Sequence, residues 1–365
     1  MNLRFHIDVK FFVALLFFTT LFQRESVSLV AQSSSDRPTK PVTSETAERT
    51  LRSQWRGLFE THSWTELDSL ADRLRSQRLR FQGGGWQLHV LYTILSTVDS
   101  QSETDAAWDM QIAALQEWIR RAPLSPTPRI ALADTYVKFA WKARGGDLAD
   151  KVTEEGWRLF DARIKKACDV LQQAQQISRG DPEWYDAMLI AAAARDWNRS
   201  EAEALVDESL SREPGYFYIV RVQADNLLPK WYGEPGDTEQ FVAKIADRIG
   251  GADGDATYFF VAEAILTETT NCSLCSPPPM SWARIRRGYA AIERLYGTNN
   301  FEKNAYAYIA VQAGDRETAR SAFKKIGENW NSDVWGSRAL FERDRLYSNL
   351  KPAPPDPPQP ASPAH

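Results

Sequence analysis

The fold is decided by residues 181–233, whose sequence is DPEWYDAMLIAAAARDWNRSEAEALVDESLSREPGYFYIVRVQADNLLPKWYG. Its apolar spacing predicts a helix from Glu183 to Trp197, a short polar turn, and a second helix that ends at Arg212. A third helical run follows and stops at residues 227–233, where proline and glycine flank two aromatic residues. Short helices joined by tight turns predict an α-solenoid, in which each pair buries its apolar face against the next pair.

The ends of the predicted helices repeat along the chain. An arginine followed closely by a proline ends a helix at Pro123, at Pro182 and at Pro214. The last two prolines are 32 residues apart, near the 34-residue period of a tetratricopeptide repeat (TPR), whereas the first two are 59 apart. Small and aromatic residues at 307–323 also fit that repeat. We therefore predict an all-α, irregular TPR-like α-solenoid of antiparallel helical hairpins over residues 47–350, without significant β-sheet.

Local start and stop signals support these helices. Ser63, Ser200 and Asp237 each stand three residues before a Glu or Gln, which is the spacing of a capping box. Asp181 stands directly before a proline, which predicts an N-cap followed by proline in the first turn. Gly297 follows a long apolar stripe and predicts a helix C-cap. No run shows sustained alternation of period two, so strands are not expected.

Composition excludes some classes of function. The chain has 365 residues and a formal net charge of −4, so it lacks the basic surface that nucleic acid or anionic lipid would require. Its 13 tryptophans and 12 tyrosines are compatible with helix packing and with a ligand groove. We expect no nucleic-acid partner.

The two ends of the chain predict export and extended segments. Residues 1–31 resemble a secretory signal peptide, because basic residues precede a twelve-residue, mainly apolar run at 11–22 and a small residue, Ala31, marks a cleavage site. A buried first helix or a short membrane anchor is the alternative. We expect a secreted or periplasmic protein with no transmembrane span after cleavage. The Ser/Thr/Pro-rich leader at 32–46 and the tail at 351–365, with seven prolines, predict disorder.

The three cysteines predict one buried thiol and one local pair. Cys168 lies next to an apolar helical stripe and is expected to pack as a small hydrophobe. Cys272 and Cys275 form a CxxC pair followed by three prolines, without the following histidine of a haem site or the second pair of a zinc site. In an oxidising compartment we expect a disulfide between them. An intermolecular bond or a labile redox role is the alternative.

No motif predicts catalysis, a metal ion or a cofactor. The chain has four histidines and lacks metalloprotease, serine-hydrolase and dinucleotide-binding motifs. The glycines at 83–85 lack the lysine and hydroxyl residue of a phosphate loop, so we interpret them as a hinge between helices. We therefore predict no metal site, no cofactor and no catalytic residue.

Two candidate binding features remain. Asp134, Trp141 and Arg144 share one helical face, which predicts either a groove for an extended peptide or glycan, or a tryptophan packed on the next helix beside an arginine that binds the carbonyls at the helix end. Trp231 and Tyr232 form either a ligand loop or a rigid corner.

Several segments together resemble an uncharacterised bacterial domain-of-unknown-function family. They are GGGW at 83–86, FAWKARG at 139–145, DPEWY at 181–185, LPKWYG at 228–233 and the Gly314-Asp315 hairpin. The resemblance covers most of residues 50–340 and implies a helical-repeat fold, with no reaction or catalytic residues to transfer. This chain departs from the family pattern where Tyr232 separates Trp231 from Gly233.

These observations predict a binding protein. We expect an exported helical-repeat scaffold, not an enzyme, that mediates protein–protein interaction in the cell envelope through another envelope protein or peptide. The alternative is an envelope enzyme that acts on peptidoglycan or another polysaccharide through a carboxylate acid, which would need two acids roughly 5 to 9.5 Å apart in a cleft.

Overall fold

A computed structural model describes residues 44–98, 103–146, 149–195, 198–270 and 279–349. The described helices belong to two compact units that divide after Asn299. The predicted signal peptide at 1–31, Trp197, Cys272 and Cys275, and the tail at 351–365 lie outside the described residues. The first helix begins at Ser44, within the segment that the sequence assigned to the leader.

The first unit contains thirteen described α-helices. They are α1 (Ser44–Glu60), α2 (Trp64–Gln77), α3 (Gln87–Leu95), α4 (Asp105–Arg121), α5 (Thr127–Arg144), α6 (Glu154–Gln173), α7 (Gln175–Ser178), α8 (Pro182–Ala193), α9 (Arg199–Arg212), α10 (Tyr218–Asn226), α11 (Asp237–Ile249), α12 (Gly251–Thr270) and α13 (Trp282–Tyr296). A 3₁₀ turn at Ala149–Lys151 precedes α6. The described residues contain no β-strand, only one isolated bridge between Arg80 and Trp86, so the all-α prediction is confirmed.

Helices close in the chain are also neighbours in space. Helix α5 packs on α4, α6 and α8, while α8 packs on α9 and α10, and α10 packs on α11 and α12. Helix α3 packs on α2, α5 and α8. These contacts between helices are compatible with an α-solenoid of helical hairpins. Helices α3, α5, α8 and α10 therefore form a continuous series, and the candidate site described below lies among them.

Helix capping follows the sequence in part. Asp181 caps α8 as predicted, because its carboxylate accepts the backbone N–H of Glu183 at 3.0 Å. The capping prediction for Ser200 is wrong, because Asn198 accepts two backbone N–H groups of the first turn of α9 and the helix has already begun at Ser200. Ser63 precedes α2 without a side-chain cap, and Asp237 is itself the first residue of α11.

The glycines between α2 and α3 form a tight, packed turn. Gly84 has a φ of +88°, a left-handed conformation that favours glycine. A Cβ atom on Gly84 would lie 2.6 Å from Phe260 Cζ and 2.7 Å from Tyr296 Cδ2. The backbone N–H of Gly83 donates to Gly297, the C-cap of α13, at 3.1 Å. These contacts hold the turn against α12 and α13, which differs from the hinge that the sequence suggested.

The second unit contains α14 (Asn300–Gln312), α15 (Arg316–Ile326), α16 (Ser332–Trp335) and α17 (Arg338–Asn349). The predicted hairpin at Gly314-Asp315 joins α14 to α15, and Asp315 caps α15 by accepting the backbone N–H of Thr318. The rings of Phe323, Trp335 and Phe341 are in mutual contact and form part of the core. None of the helices in the described ranges has the length and apolar character that crossing a membrane would require.

Candidate functional site

The structure brings Trp141 and Arg144 together at the end of α5. The Trp141 ring packs edge-on against Phe160 of α6, with 5.0 Å between ring centroids. The Arg144 guanidinium lies over the rings of Trp141 and Trp157, and its Nη1 donates to the Gly145 carbonyl at 3.0 Å. Arg144 is only 3% exposed. Trp141 therefore packs on α6, while Arg144 contacts both α6 and the end of its own helix, α5.

Asp134 lies in a different neighbourhood, two turns earlier on α5. Its Oδ2 accepts hydrogen bonds from Ser96 at 2.5 Å and from Lys138 at 2.8 Å. Lys138 also donates to Ser96 at 2.6 Å. The hydrogen bonds to Ser96 connect the end of α3 to this ion pair on α5, which lies beside the cluster described below.

Trp231 and Tyr232 belong to a turn that closes against α8 and α10. The backbone N–H of Trp231 donates to Leu228 at 2.9 Å, and the Tyr232 hydroxyl donates to the carbonyl of Ala193 at 2.8 Å. A Cβ atom on Gly233 would lie 1.9 Å from the Leu227 carbonyl oxygen, so the close approach of the two backbones requires glycine there. Tyr232 nevertheless remains 43% exposed.

The sequence did not predict a group of buried polar residues at the start of α8. It is built around Asp181, whose side chain is fully buried at the start of α8. Besides capping α8, Asp181 accepts two hydrogen bonds from Arg75, from Nε at 2.9 Å and Nη2 at 2.5 Å, and one from the Tyr92 hydroxyl. The carboxylate thus ties α2 and α3 to α8. Burial of Arg75 opposes its charge, but the charges and hydrogen bonds of Asp181 and Tyr92 together outweigh burial and raise the pKa of the guanidinium.

Glu183 and His89 form the next contact along α8. His89 Nδ1 lies 3.0 and 3.1 Å from the two carboxylate oxygens of Glu183, and the Tyr216 hydroxyl donates to Glu183 as well. The His89 ring stacks on Tyr218 with 3.6 Å between centroids and 15° between planes. Tyr216 and Tyr218 therefore fix the two side chains from the α10 side.

Asp186 completes this group, one turn further along α8. It is 4% exposed, and its Oδ1 is buried without a hydrogen-bond partner among the described residues. One ligand atom from each of His89, Glu183 and Asp186 lies within 4.8 Å of the others. We call these three residues the His89 cluster.

Burial controls the charge of the His89 cluster. Burial raises the pKa of Glu183 well above its usual range, against the opposing effect of the hydrogen bond from Tyr216. Burial and then the neighbouring charge of Glu183 raise the pKa of Asp186 to about 7. Burial lowers the pKa of His89 to about 4, so its imidazole is neutral at pH 7. The cluster thus combines a neutral nitrogen donor with two carboxyl groups that resist ionisation in the absence of a cation.

A cleft of about 270 Å³ adjoins the start of α8. Four arginines from α2, α7 and α9 and the segments that follow them share its lining. They are Arg75, Arg78, Arg179 and Arg212. Glu213 is the carboxylate in the lining, and Pro182 and Tyr185 contribute from α8. Arg75 belongs both to this cleft and to the Asp181 network, so the two features share a wall.

Three arginines of the cleft form ion pairs with neighbouring carboxylates. Arg78 donates to Glu213 at 2.6 Å, while Arg179 and Arg212 share Glu208 at 3.6 and 3.2 Å. The side chains of Arg78, Arg179 and Arg212 remain 62%, 44% and 50% exposed. A guanidinium has five N–H donors, so these ion pairs orient each group and leave donors directed to solvent.

Ser209 of α9 lines the cleft with its hydroxyl buried. Ser209 is 1% exposed, and its Oγ has no hydrogen-bond partner within the part of the chain that the structure describes. A buried hydroxyl without a partner costs about 1 to 3 kcal/mol. The cleft therefore presents oriented cations beside a buried, unsatisfied hydroxyl.

Sequence reasoning missed these residues because they are distant in the chain. His89 and Glu183 are 94 residues apart, and Arg75 and Asp181 are 106 apart. One local signal existed. Glu183 and Asp186 are three residues apart in a helix that the sequence predicted, and this spacing places two carboxylates on one face of α8.

In comparisons with known proteins, no protein-family model, no curated protein and no solved structure matches this chain. The resemblance to an uncharacterised helical-repeat family stays a prediction. The geometry of the site is therefore the basis for any inference about function.

Proposed function

We propose that this chain is a helical-repeat binding protein whose arginine-lined cleft holds a carboxylate-bearing peptide segment of another protein. The observation that carries the proposal is the convergence of Arg78, Arg179 and Arg212 on one cleft. Arginine forms paired hydrogen bonds with carboxylates, and its planar donors recognise them with defined geometry.

The cleft has a size that suits a short segment rather than a whole domain. Its volume of about 270 Å³ lies near the lower end of the volumes of small-molecule sites. A cleft of this size holds a few side chains or one extended dipeptide. Pro182 and Tyr185 of α8 also line the cleft. A glutamate or aspartate side chain, or a free carboxyl terminus, fits this chemistry.

A carboxylate-acid polysaccharide enzyme fits this cleft less well. Such an enzyme needs two acids that face the substrate from opposite sides. Glu213 is the acid in the cleft lining, and it is engaged by Arg78. The geometry therefore favours binding.

The proposed setting is the cell envelope, where the partner would be another envelope protein or peptide. This part of the proposal rests on residues 1–31, which lie outside the described residues. Fractionation of cells that express the full chain, with mass measurement of the mature protein, tests it. Material in the envelope fraction that begins at Gln32 supports export, and uncleaved cytoplasmic material contradicts it.

Fluorescence anisotropy tests the binding proposal directly. The probe is a fluorescein-labelled peptide of six residues that contains four glutamates, and the control probe has four glutamines instead. We expect the wild-type chain to bind the acidic probe and to lose affinity as salt rises, because exposed charge pairs are screened. Arg179→Gln and Arg212→Gln should each weaken binding about 10-fold, which corresponds to one charged hydrogen bond of about 1.5 kcal/mol.

A matched control separates this site from general surface charge. Arg248 is 41% exposed and pairs with a single acid, Asp207, outside the cleft. Arg248→Gln should leave the affinity for the acidic probe within twofold of wild type. Equal loss in the Arg248 and Arg212 variants, or equal affinity for the acidic and glutamine probes, would contradict the proposal.

A further inference from the structure

We propose that His89, Glu183 and Asp186 form a binding site for one divalent transition-metal cation, beneath the wall of the arginine-lined cleft. The site goes beyond the proposed peptide binding and does not depend on it. Helix α3 supplies a nitrogen donor, and α8 supplies two oxygen donors from one face.

The geometry allows the three groups to share one ion. Their ligand atoms already lie within 4.8 Å of one another. Metal–ligand bonds of about 2.0 to 2.2 Å place two ligands of a tetrahedral ion about 3.3 to 3.6 Å apart. Side-chain rotations that shift the ligand atoms by about 1 Å therefore suffice to form the site, and the backbone of α3 and α8 need not move.

A buried oxygen of Asp186 supports the metal site independently of the distances between the ligand atoms. Its Oδ1 has no hydrogen-bond partner among the described residues, although the residue is 96% buried. A buried polar atom without a partner is costly, and in native proteins such an atom calls for a water, an ion or a function. A cation between Asp186, Glu183 and His89 would give the buried Asp186 carboxylate a partner.

Charge balance supports a divalent ion. With both carboxylates ionised and the imidazole neutral, the three side chains carry two negative charges in a buried space. The nearby acids already have cations, since Asp181 pairs with Arg75 and Asp134 pairs with Lys138. Bringing two carboxylates together without a cation is unfavourable, and a divalent cation removes that cost.

Neighbouring side chains orient the proposed ligands. The Tyr216 hydroxyl donates to Glu183, and the Tyr218 ring stacks on His89. Groups that bind and orient metal ligands in this way raise affinity. A quarter of the His89 side chain is exposed, which gives the ion a route from solvent.

The donor set selects the class of metal. One imidazole nitrogen with two carboxylates suits Zn²⁺ and its transition-metal neighbours, whereas Ca²⁺ and Mg²⁺ prefer ligands that are all oxygen. Three protein ligands leave at least one coordination position for water or for another ligand. We therefore expect Zn²⁺ to bind and millimolar Mg²⁺ not to compete.

Titration calorimetry of the full chain with Zn²⁺, under non-reducing conditions, tests the site. We expect one Zn²⁺ per chain. His89→Phe keeps the ring stack on Tyr218, Glu183→Gln keeps the hydrogen bond from Tyr216, and Asp186→Asn keeps the side-chain volume. Each should weaken Zn²⁺ binding at least about 100-fold, since loss of a ligand exceeds the 10- to 100-fold effect of losing an orienting group.

Two further variants calibrate the result. Tyr216→Phe removes only the hydrogen bond to Glu183 and should weaken binding about 10-fold. Asp225→Asn removes another buried acid of α10, which pairs with Lys230 outside the His89 cluster, and should leave the affinity within threefold of wild type. Each variant is first shown to have the wild-type circular dichroism spectrum.

A second probe reports the ligand type. Co²⁺ bound by nitrogen and oxygen should show d–d absorption without a thiolate charge-transfer band, and Asp186→Asn should abolish it. Zn²⁺ should raise the Tm of the wild-type chain and leave the Tm of Asp186→Asn unchanged, since only bound ligand stabilises the native state. Zn²⁺ affinity that is the same in wild type and all three ligand variants, or no binding to the wild type, would overturn the proposal.

Discussion

Replacing Asp181 with alanine should strongly destabilise the first unit. One carboxylate caps α8 and accepts three hydrogen bonds, two from Arg75 and one from Tyr92. Without it, the guanidinium of Arg75, whose side chain is only 18% exposed, loses its buried partner. The free energy of unfolding should therefore fall.

The expected magnitude comes from three contributions. Loss of the N-cap costs about 1 kcal/mol. Breaking a buried ion pair on one side costs about 3 to 5 kcal/mol, and an unpaired buried hydroxyl costs about 1 to 3 kcal/mol. These overlap, because one carboxylate serves all three, so we expect a loss of at least about 4 kcal/mol. That is a large fraction of the about 5 to 15 kcal/mol that stabilises a typical domain.

Urea denaturation followed by circular dichroism measures this loss. Hydrogen exchange of the α8 amides assigns it to the first unit, because the chain has two units and need not unfold in one step. Asp181→Asn keeps an acceptor and the cap, so it should cost less than Asp181→Ala. In the double variant Arg75→Met/Asp181→Ala, removal of the unpaired guanidinium should recover about 2 kcal/mol relative to additivity.

Two results would refute this reasoning. A loss of less than about 1 kcal/mol in Asp181→Ala would show that the network contributes little beyond the N-cap. Additive effects of the two substitutions, within about 0.5 kcal/mol, would show that Arg75 and Asp181 do not interact energetically.

Three other predictions address packing. Gly84→Ala should lower the free energy of unfolding in urea by at least about 2 kcal/mol, because the new Cβ would clash with Phe260 and the residue has a positive φ. In the control Gly57→Ala, in α1, the new Cβ meets nothing within 4 Å, so the free energy of unfolding should rise by about 0.5 to 1 kcal/mol. A change of the same sign in both variants would contradict the packing. Asn304→Ala should lower the free energy of unfolding of the second unit by at least about 2 kcal/mol and increase hydrogen exchange in α14–α17 alone. The buried Asn304 amide forms hydrogen bonds with three residues outside α14, Asn329, Asn331 and Trp335, in addition to those with Asn300 in its own helix. Cys168 is buried, and burial raises the pKa of its thiol, so iodoacetamide should alkylate it at least about 100-fold more slowly in the native chain than in urea. Peptide mass mapping measures the two rates, and equal rates would place the thiol at the surface.

The cleft and the proposed metal site share one structural support. The first turn of α8 supplies Pro182 to the cleft and Glu183 to the His89 cluster, and Asp181 fixes that turn. Peptide binding and Zn²⁺ binding are nevertheless tested independently, because the two experiments use different probes and different variants.

The amino-acid sequence by itself determined several helices of this protein. The apolar spacing in α6 and α13, the cap at Asp181 and the glycine at 297 act within one or two turns of chain, so local reasoning predicted them. Where it failed, as at Ser200, a neighbouring side chain, Asn198, competed for the same backbone donors. Periodicity also determined the absence of strands from the described residues.

The tertiary structure alone decided the site around residues 181–186. A carboxylate, an imidazole and a guanidinium acquire their shifted pKa values and their partners only when α2, α3 and α8 exclude water around them. Those helices meet through apolar packing, which is not directional and leaves no local motif for the polar groups that it brings together. His89 and Glu183, 94 residues apart, therefore became neighbours only in the folded chain.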